Sequence, residues 1–149
     1  MPGGAIAVAS DHAGFDLKEI LKRDLQDAGH DVLDLGTASG ESVDYPDYGK
    51  AMAEAIESGK VVRGVLVCGT GIGISIAANR NPKVRAALVH DTTSARLARQ
   101  HNDANVVAFG QRVIGVETAR EALQVFLKTD WEGGRHAARV EKLSKGCQK

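Results

Sequence analysis

Val62-Arg63-Gly64-Val65-Leu66-Val67-Cys68-Gly69-Thr70-Gly71-Ile72-Gly73 is the stretch on which the fold turns. Its first part is an apolar run suited to a strand buried on both faces. Its second part is a glycine-rich turn that leads into a helix over about Ser75–Asn79. The same alternation repeats outward in both directions. Strands are predicted over Ala5–Ala9, over Val32, Leu33 and Leu35, over Arg85–Val89 and over Asn105–Phe109. Between them lie helical patterns. Leu17, Ile20, Leu21 and Leu25 share one face. Tyr45-Pro46 opens a helix running to Glu57, with proline in the first turn. Further helices are predicted over Thr92–Gln100 and Val116–Leu127. Trp131-Glu132-Gly133-Gly134 breaks the chain before a last helix over about Arg135–Lys145.

Five apolar runs alternating with helices predict an α/β fold, a parallel sheet with helices on both faces. In open sheets of this kind ligands sit beyond the carboxyl ends of the strands. That rule selects Asp11 and His12, the segment Cys68–Gly73, His90 and Asp91, and Gly110–Arg112. With 149 residues, 43% hydrophobic and 26% charged, the chain reads as one globular domain over 1–149. Nineteen basic residues balance nineteen acidic ones, which argues against a nucleic-acid partner. No signal-peptide pattern and no apolar run of membrane length is present, and two cysteines far apart fit a reducing compartment. A cytoplasmic protein without membrane contact is expected.

The loop Cys68-Gly69-Thr70-Gly71-Ile72-Gly73 carries the strongest chemical signal. Its glycines let backbone N–H groups approach a ligand, and the helix that follows offers its positive end to an anion. A turn that uses glycine only for packing is the alternative. Ile74 excludes the dinucleotide spacing G-x-G-x-x-G, and no Lys-Ser or Lys-Thr follows as a Walker loop requires. Ile74 also stands where a cysteine phosphatase loop needs arginine, and Cys68 where a receiver domain needs aspartate. Cys68 is either a small buried hydrophobe or, beside a helix N-terminus that favours thiolate, a proton-abstracting base. His101 ends a helix and His12 follows Asp11 after a strand; both admit capping or surface roles. Arg135 and Arg139 share a helix face flanked by His136, which suits an anion or a solvated tail. His30 and His90 lack metal-ligand spacing, and no metal is expected.

Several of these motifs, in this order, resemble the type B ribose-5-phosphate isomerases, a family that includes the galactose-6-phosphate isomerase subunits. The likeness rests on Ser10-Asp11-His12-Ala13-Gly14, Asp44-Tyr45-Pro46, Cys68-Gly69-Thr70-Gly71-Ile72-Gly73-Ile74-Ser75, Ala77-Ala78-Asn79, Arg99-Gln100-His101-Asn102, Phe109-Gly110-Gln111-Arg112 and Glu132-Gly133-Gly134-Arg135-His136. It covers residues 5–140 or so.

The resemblance implies a Rossmann-like three-layer α/β/α sandwich and an aldose–ketose isomerase working through a cis-enediolate without metal or cofactor. By that likeness Cys68 is the base, and His101, assisted by Asp11, opens the sugar ring. Thr70 and the amides of Gly69, Gly71, Ile72 and Gly73 hold the reacting oxygens. Tyr45 and Asn102 contact the sugar. His12, Arg112, Arg135, His136 and Arg139 surround the phosphate, with Arg135 and Arg139 coming from a neighbouring subunit. A homodimer or tetramer with shared sites follows, and ribose 5-phosphate is the expected substrate. Allose 6-phosphate, galactose 6-phosphate and a tetrulose phosphate are the alternatives within the class. A non-catalytic nucleotide-binding module is the alternative outside it.

Overall fold

A computed structural model describes residues 4–145. Five strands form one parallel sheet: β1 (Ala5–Ser10), β2 (Val32–Asp34), β3 (Val61–Cys68), β4 (Ala86–Leu88) and β5 (Val106–Gly110). Their spatial order is β2-β1-β3-β5-β4. Successive strand residues point to opposite faces, and each face buries its own cluster. Ile6, Val8, Val65, Val67, Val107 and Phe109 pack under α1 (Phe15–Asp27), α4 (Thr92–Asn102) and α5 (Val116–Lys128). Ala7, Ala9, Leu66, Cys68, Val106 and Ala108 pack under α2 (Tyr45–Glu57) and α3 (Ile72–Asn79). The fold is therefore the three-layer α/β/α sandwich that the alternation predicts.

Chain direction matters most for the site. From β1 the chain crosses to β2 on one side; from β3 it crosses to β4 on the other. The strand order thus reverses between β1 and β3, whose carboxyl ends are Ser10 and Cys68. Such a reversal opens a crevice beyond the sheet. Each helix runs back towards the amino ends of the strands, so α4 carries its last turn about 16 Å from its first.

Several boundaries differ from those predicted. Helix α3 begins at Ile72 rather than Ser75, because Thr70 Oγ1 accepts the Ile72 N–H at 3.2 Å and starts the helix a turn early. A short 3-10 turn, His12–Gly14, precedes α1, and Asp11 caps it by accepting the Gly14 N–H at 3.1 Å. The last helix splits into a 3-10 turn, Gly134–His136, and α6 (Ala137–Lys145), which buries none of its residues.

Lys18 fixes the loop after β2. Its side chain is fully buried, and Nζ donates to Asp34 at 2.9 and 3.0 Å and to the Thr37 carbonyl at 2.7 Å. A buried charge is tolerated only with partners of this kind. Burial pushes the Asp34 carboxyl up, but hydrogen bonds from Lys22, Lys18 and the Gly36 N–H outweigh it and leave it below the ordinary carboxylate value.

Candidate active site

Two groups of the expected residues emerge, one at each end of the sheet. At the carboxyl end, Asp11 and Cys68 leave neighbouring strands; the Asp11 N–H donates to the Val67 carbonyl at 3.3 Å. Cys68 is 4% exposed, and the Gly71 N–H donates to its Sγ at 3.1 Å. That bond aims the first N–H groups of α3 at the sulfur.

The glycines of this loop have steric reasons to be glycine. Gly71 adopts φ +77°, and a Cβ there would meet Leu88 and the Phe109 carbonyl. A Cβ on Gly73 would run into the Tyr45 ring, and one on Gly69 would come within 3.2 Å of Arg112 Nη1. Tyr45 and Arg112 therefore lie directly over the loop from its two sides. The Arg112 N–H donates to the Gly69 carbonyl, and the Gln111 N–H to that of Cys68, both at 2.9 Å. His12 Nδ1 lies 3.1 Å from the Val43 nitrogen and 3.2 Å from its oxygen. With the Val43 N–H donating to Nδ1, the proton of the neutral ring sits on Nε2, which becomes a donor. Asp11, His12, Tyr45, Cys68–Gly73 and Arg112 thus make one shelf.

The second group is at the amino end. His101 and Asn102 finish α4, and Arg135, His136 and Arg139 follow the Gly133-Gly134 break. The rings of His101 and His136 stack, with centroids 4.4 Å apart and planes at 18°. Arg99 holds this end together. It is 2% exposed, and its guanidinium donates to the Ala104 carbonyl at 2.6 Å, to Asp103 at 2.9 Å and to the Thr129 carbonyl at 3.2 Å. It so ties the last turn of α4 to the end of α5, from which the His136 segment departs. The Glu132 N–H adds a bond to the Gln100 carbonyl at 3.3 Å. Burial, then the charges of His101 and Arg135, pull the His136 imidazole below its ordinary value, against a smaller upward pull from Glu132.

One chain therefore does not bring His101, Asn102, Arg135, His136 and Arg139 to Cys68. The length of the sheet separates the two groups. The concavity of about 310 Å³ between α1 and α5, lined by Asp24, His30 and Arg120, belongs to neither.

The family model for ribose/galactose isomerases matches residues 6–143. The chain belongs to the ribose/galactose isomerase family. Ribose-5-phosphate isomerase B of Escherichia coli is 48% identical over 139 residues, covering 93% of each chain. D-erythrulose-4-phosphate isomerase of Pectobacterium atrosepticum is 46% identical over 140 residues, covering 93% of this chain and 92% of that one. The solved structure of Clostridium thermocellum ribose-5-phosphate isomerase B superposes with a TM-score of 0.93 at 48% identity, covering 95% of each chain. The protein is an aldose–ketose isomerase of sugar phosphates, and the nucleotide-binding module is set aside.

The sequence reading missed Arg99 as the residue that holds the amino end together, and it missed the approach of the Glu132 side chain to His136. A lone arginine and a lone glutamate carry no spacing signal; only the approach of α4 to the segment after α5 reveals them. The longest helix of the described residues is too short and too polar to cross a membrane.

Proposed function

We propose that the protein interconverts ribose 5-phosphate and ribulose 5-phosphate, at sites each completed by a second copy of the chain. The observation that carries this reading is the sulfur of Cys68, held by a backbone N–H at the strand-order reversal, under a glycine loop open to a ligand.

The chemistry follows from those groups. The Cys68 thiolate takes the proton from C2 of the open-chain aldose, and the electron pair moves to the carbonyl oxygen as the cis-enediolate forms. Thr70 and the amides of Gly69, Gly71, Ile72 and Gly73 stabilise that oxyanion. The hydroxyl proton on the C2 oxygen then passes to the C1 oxygen, the C2 carbonyl forms, and the thiol returns its proton to C1, giving the ketose. Before this step His101 protonates the ring oxygen of the furanose, while Asp11 assists by accepting the anomeric hydroxyl proton. Tyr45 and Asn102 contact the sugar. His12, Arg112, Arg135, His136 and Arg139 take the phosphate, for which the guanidinium fork is suited. Held remotely, the phosphate contributes binding energy that positions the reacting carbons.

Two observations support a homodimeric assembly, or a tetramer built from such dimers. His101 and the arginine pair are remote from Cys68 in the same chain. Ile72 and Ile76, one turn apart on α3, are 50% and 58% exposed beside Tyr45. An apolar face next to the shelf suits a second copy that brings its own amino-end group across.

The four-carbon relative makes a tetrulose phosphate the second reading. The test is isomerisation of ribose 5-phosphate and of erythrose 4-phosphate, without added metal, by wild type and Cys68→Ala. Turnover of the pentose that collapses in the variant is expected. Turnover of erythrose 4-phosphate alone would move the substrate to four carbons. Full turnover by the variant would place the base elsewhere.

A further inference from the structure

The amino-end group holds one side chain that the isomerisation does not use. Glu132 precedes the Gly133-Gly134 break, and its carboxylate lies 3.7 Å from His136 Nε2. One ligand-type atom each from His101, Glu132 and His136 lie within 4.8 Å of one another. His136 is 8% exposed, and its Nε2 is buried without a hydrogen-bond partner among the described residues. A buried ring nitrogen facing a carboxylate beyond hydrogen-bond length is a polar atom left without a partner.

We propose that His101, Glu132 and His136 form a binding site for a divalent cation of the zinc class, whose occupation reversibly switches the isomerase off. Two imidazole nitrogens and one carboxylate oxygen are a donor set that zinc takes with a fourth position left open. Magnesium and calcium prefer oxygen-only shells. Tetrahedral bonds of about 2.0–2.1 Å place ligand atoms roughly 3.4 Å apart, so the three, now within 4.8 Å of one another, must draw together by up to roughly an ångström and a half. Glu132 is exposed and Gly133 and Gly134 are both at positive φ with no backbone crowding, so the segment has room to adjust. The stacked rings must also turn, because each nitrogen lone pair lies in its own ring plane. Arg135 and Arg139 add positive charge at the site. They weaken cation binding, which suits a reversible regulator better than a permanent structural ion.

The inhibitory part rests on the proposed role of His101. A nitrogen whose lone pair is given to a metal cannot carry a proton to a ring oxygen. The carboxyl-end shelf of the same chain is left untouched. Binding itself does not depend on that role and is measured separately.

The test titrates zinc into the EDTA-dialysed full-length protein against a chromophoric chelator, with cobalt absorption as a second readout. It is repeated in a Cys68→Ala, Cys147→Ala background, so that no thiol competes. One ion per chain is expected in both. Glu132→Gln should weaken binding at least about tenfold. Its turnover of ribose 5-phosphate in EDTA should stay near wild type, and its zinc inhibition should shift by the same factor. His136→Asn serves as a second binding variant. Binding that disappears with the cysteines and survives Glu132→Gln overturns the site, as does no binding by wild type. Binding without inhibition overturns the switch and keeps the site. Absence of isomerisation in EDTA strikes the proposed reaction alone, since binding is read without substrate.

Discussion

The two ends of the sheet are built in different ways. At the carboxyl end the chain's own core fixes the functional groups. Gly71 is wedged against Leu88 and Phe109, and Cys68 is anchored in β3 with its sulfur bonded to the loop. At the amino end Gly133 and Gly134 also take positive φ, +63° and +56°, but no backbone crowds them. Arg135 and Arg139 beyond them are exposed. One end is a rigid shelf on which the proposed base sits. The other is an arm that carries its arginines out to solvent. Under the proposed mechanism the difference teaches that local packing places the base, whereas assembly delivers the clamp for the far end of the substrate.

Mixed dimers break that comparison most directly. Cys68→Ala is expected to lower ribose 5-phosphate turnover at least about a thousandfold, and His101→Asn about a hundredfold or more. If each site takes Cys68 from one chain and His101 from the other, a mixed dimer has one intact site. Equal mixing with free exchange should then restore about a quarter of wild-type activity. Mixtures no more active than their parts would mean that each chain serves itself, contrary to the separation seen here.

A change of substrate sharpens it next. Erythrose 4-phosphate cannot close a furanose, because its C4 oxygen carries the phosphate, so it needs no ring opening. His101→Asn should therefore cut ribose 5-phosphate turnover by about a hundredfold while changing four-carbon turnover by less than about fivefold. Cys68→Ala should abolish both. Equal losses on both substrates would show that His101 does more than open a ring.

The shelf was legible in the sequence because strand ends and glycine spacing are local signals. The run Val62–Cys68 followed by alternating glycines located the sulfur, the loop and the strand end together. Asp11 and His12 followed from the same rule applied to β1. The start of α3 was not legible, since Gly71 and Gly73 read as turn until left-handed Gly71 is seen to be the N-cap, with the Ile72 N–H bonded to Thr70 Oγ1. The arm was legible only as a basic helix face. Its docking depends on Arg99 reaching residues from 103 to 129, and on Glu132 meeting α4, which no local pattern encodes. Family resemblance supplied roles for His101 and the arginines, but their distance from Cys68 in one chain comes from α4 and its direction.

Glycine replacement compares the ends as structures rather than as sites. Gly71→Ala forces a left-handed residue and a Cβ into Leu88 and the Phe109 backbone, and should cost about 3 kcal/mol or more. Gly134→Ala meets only the left-handed penalty, about 1–2 kcal/mol, with nothing within 4 Å of the new Cβ. Urea melts of the two variants give the order. Equal losses would mean that the arm is as tightly packed as the shelf.

The smallest effect is the pH dependence of stability at the arm. His136 is held below its ordinary value by burial, by His101 and by Arg135 and Arg139, with only Glu132 opposing. Below about pH 6.5 the unfolded chain then binds a proton there that the folded chain resists. Stability falls as pH drops from 6.5 towards the folded value, and His136→Asn removes that loss. The gap in melting temperature between variant and wild type should shift in favour of the variant on going from about pH 7.5 to about 5.5. Asp34 near the shelf gives no such signal in this window. Its carboxyl is held low, so its contribution is complete above about 3.9 and is lost only as pH falls through its lower folded value. An Asp34→Asn control that moves in parallel with wild type across the same window isolates the effect to the arm. A gap that does not move with pH would mean that His136 takes up a proton as readily in the folded protein as in the unfolded one, with an acceptor for its Nε2 supplied in solution.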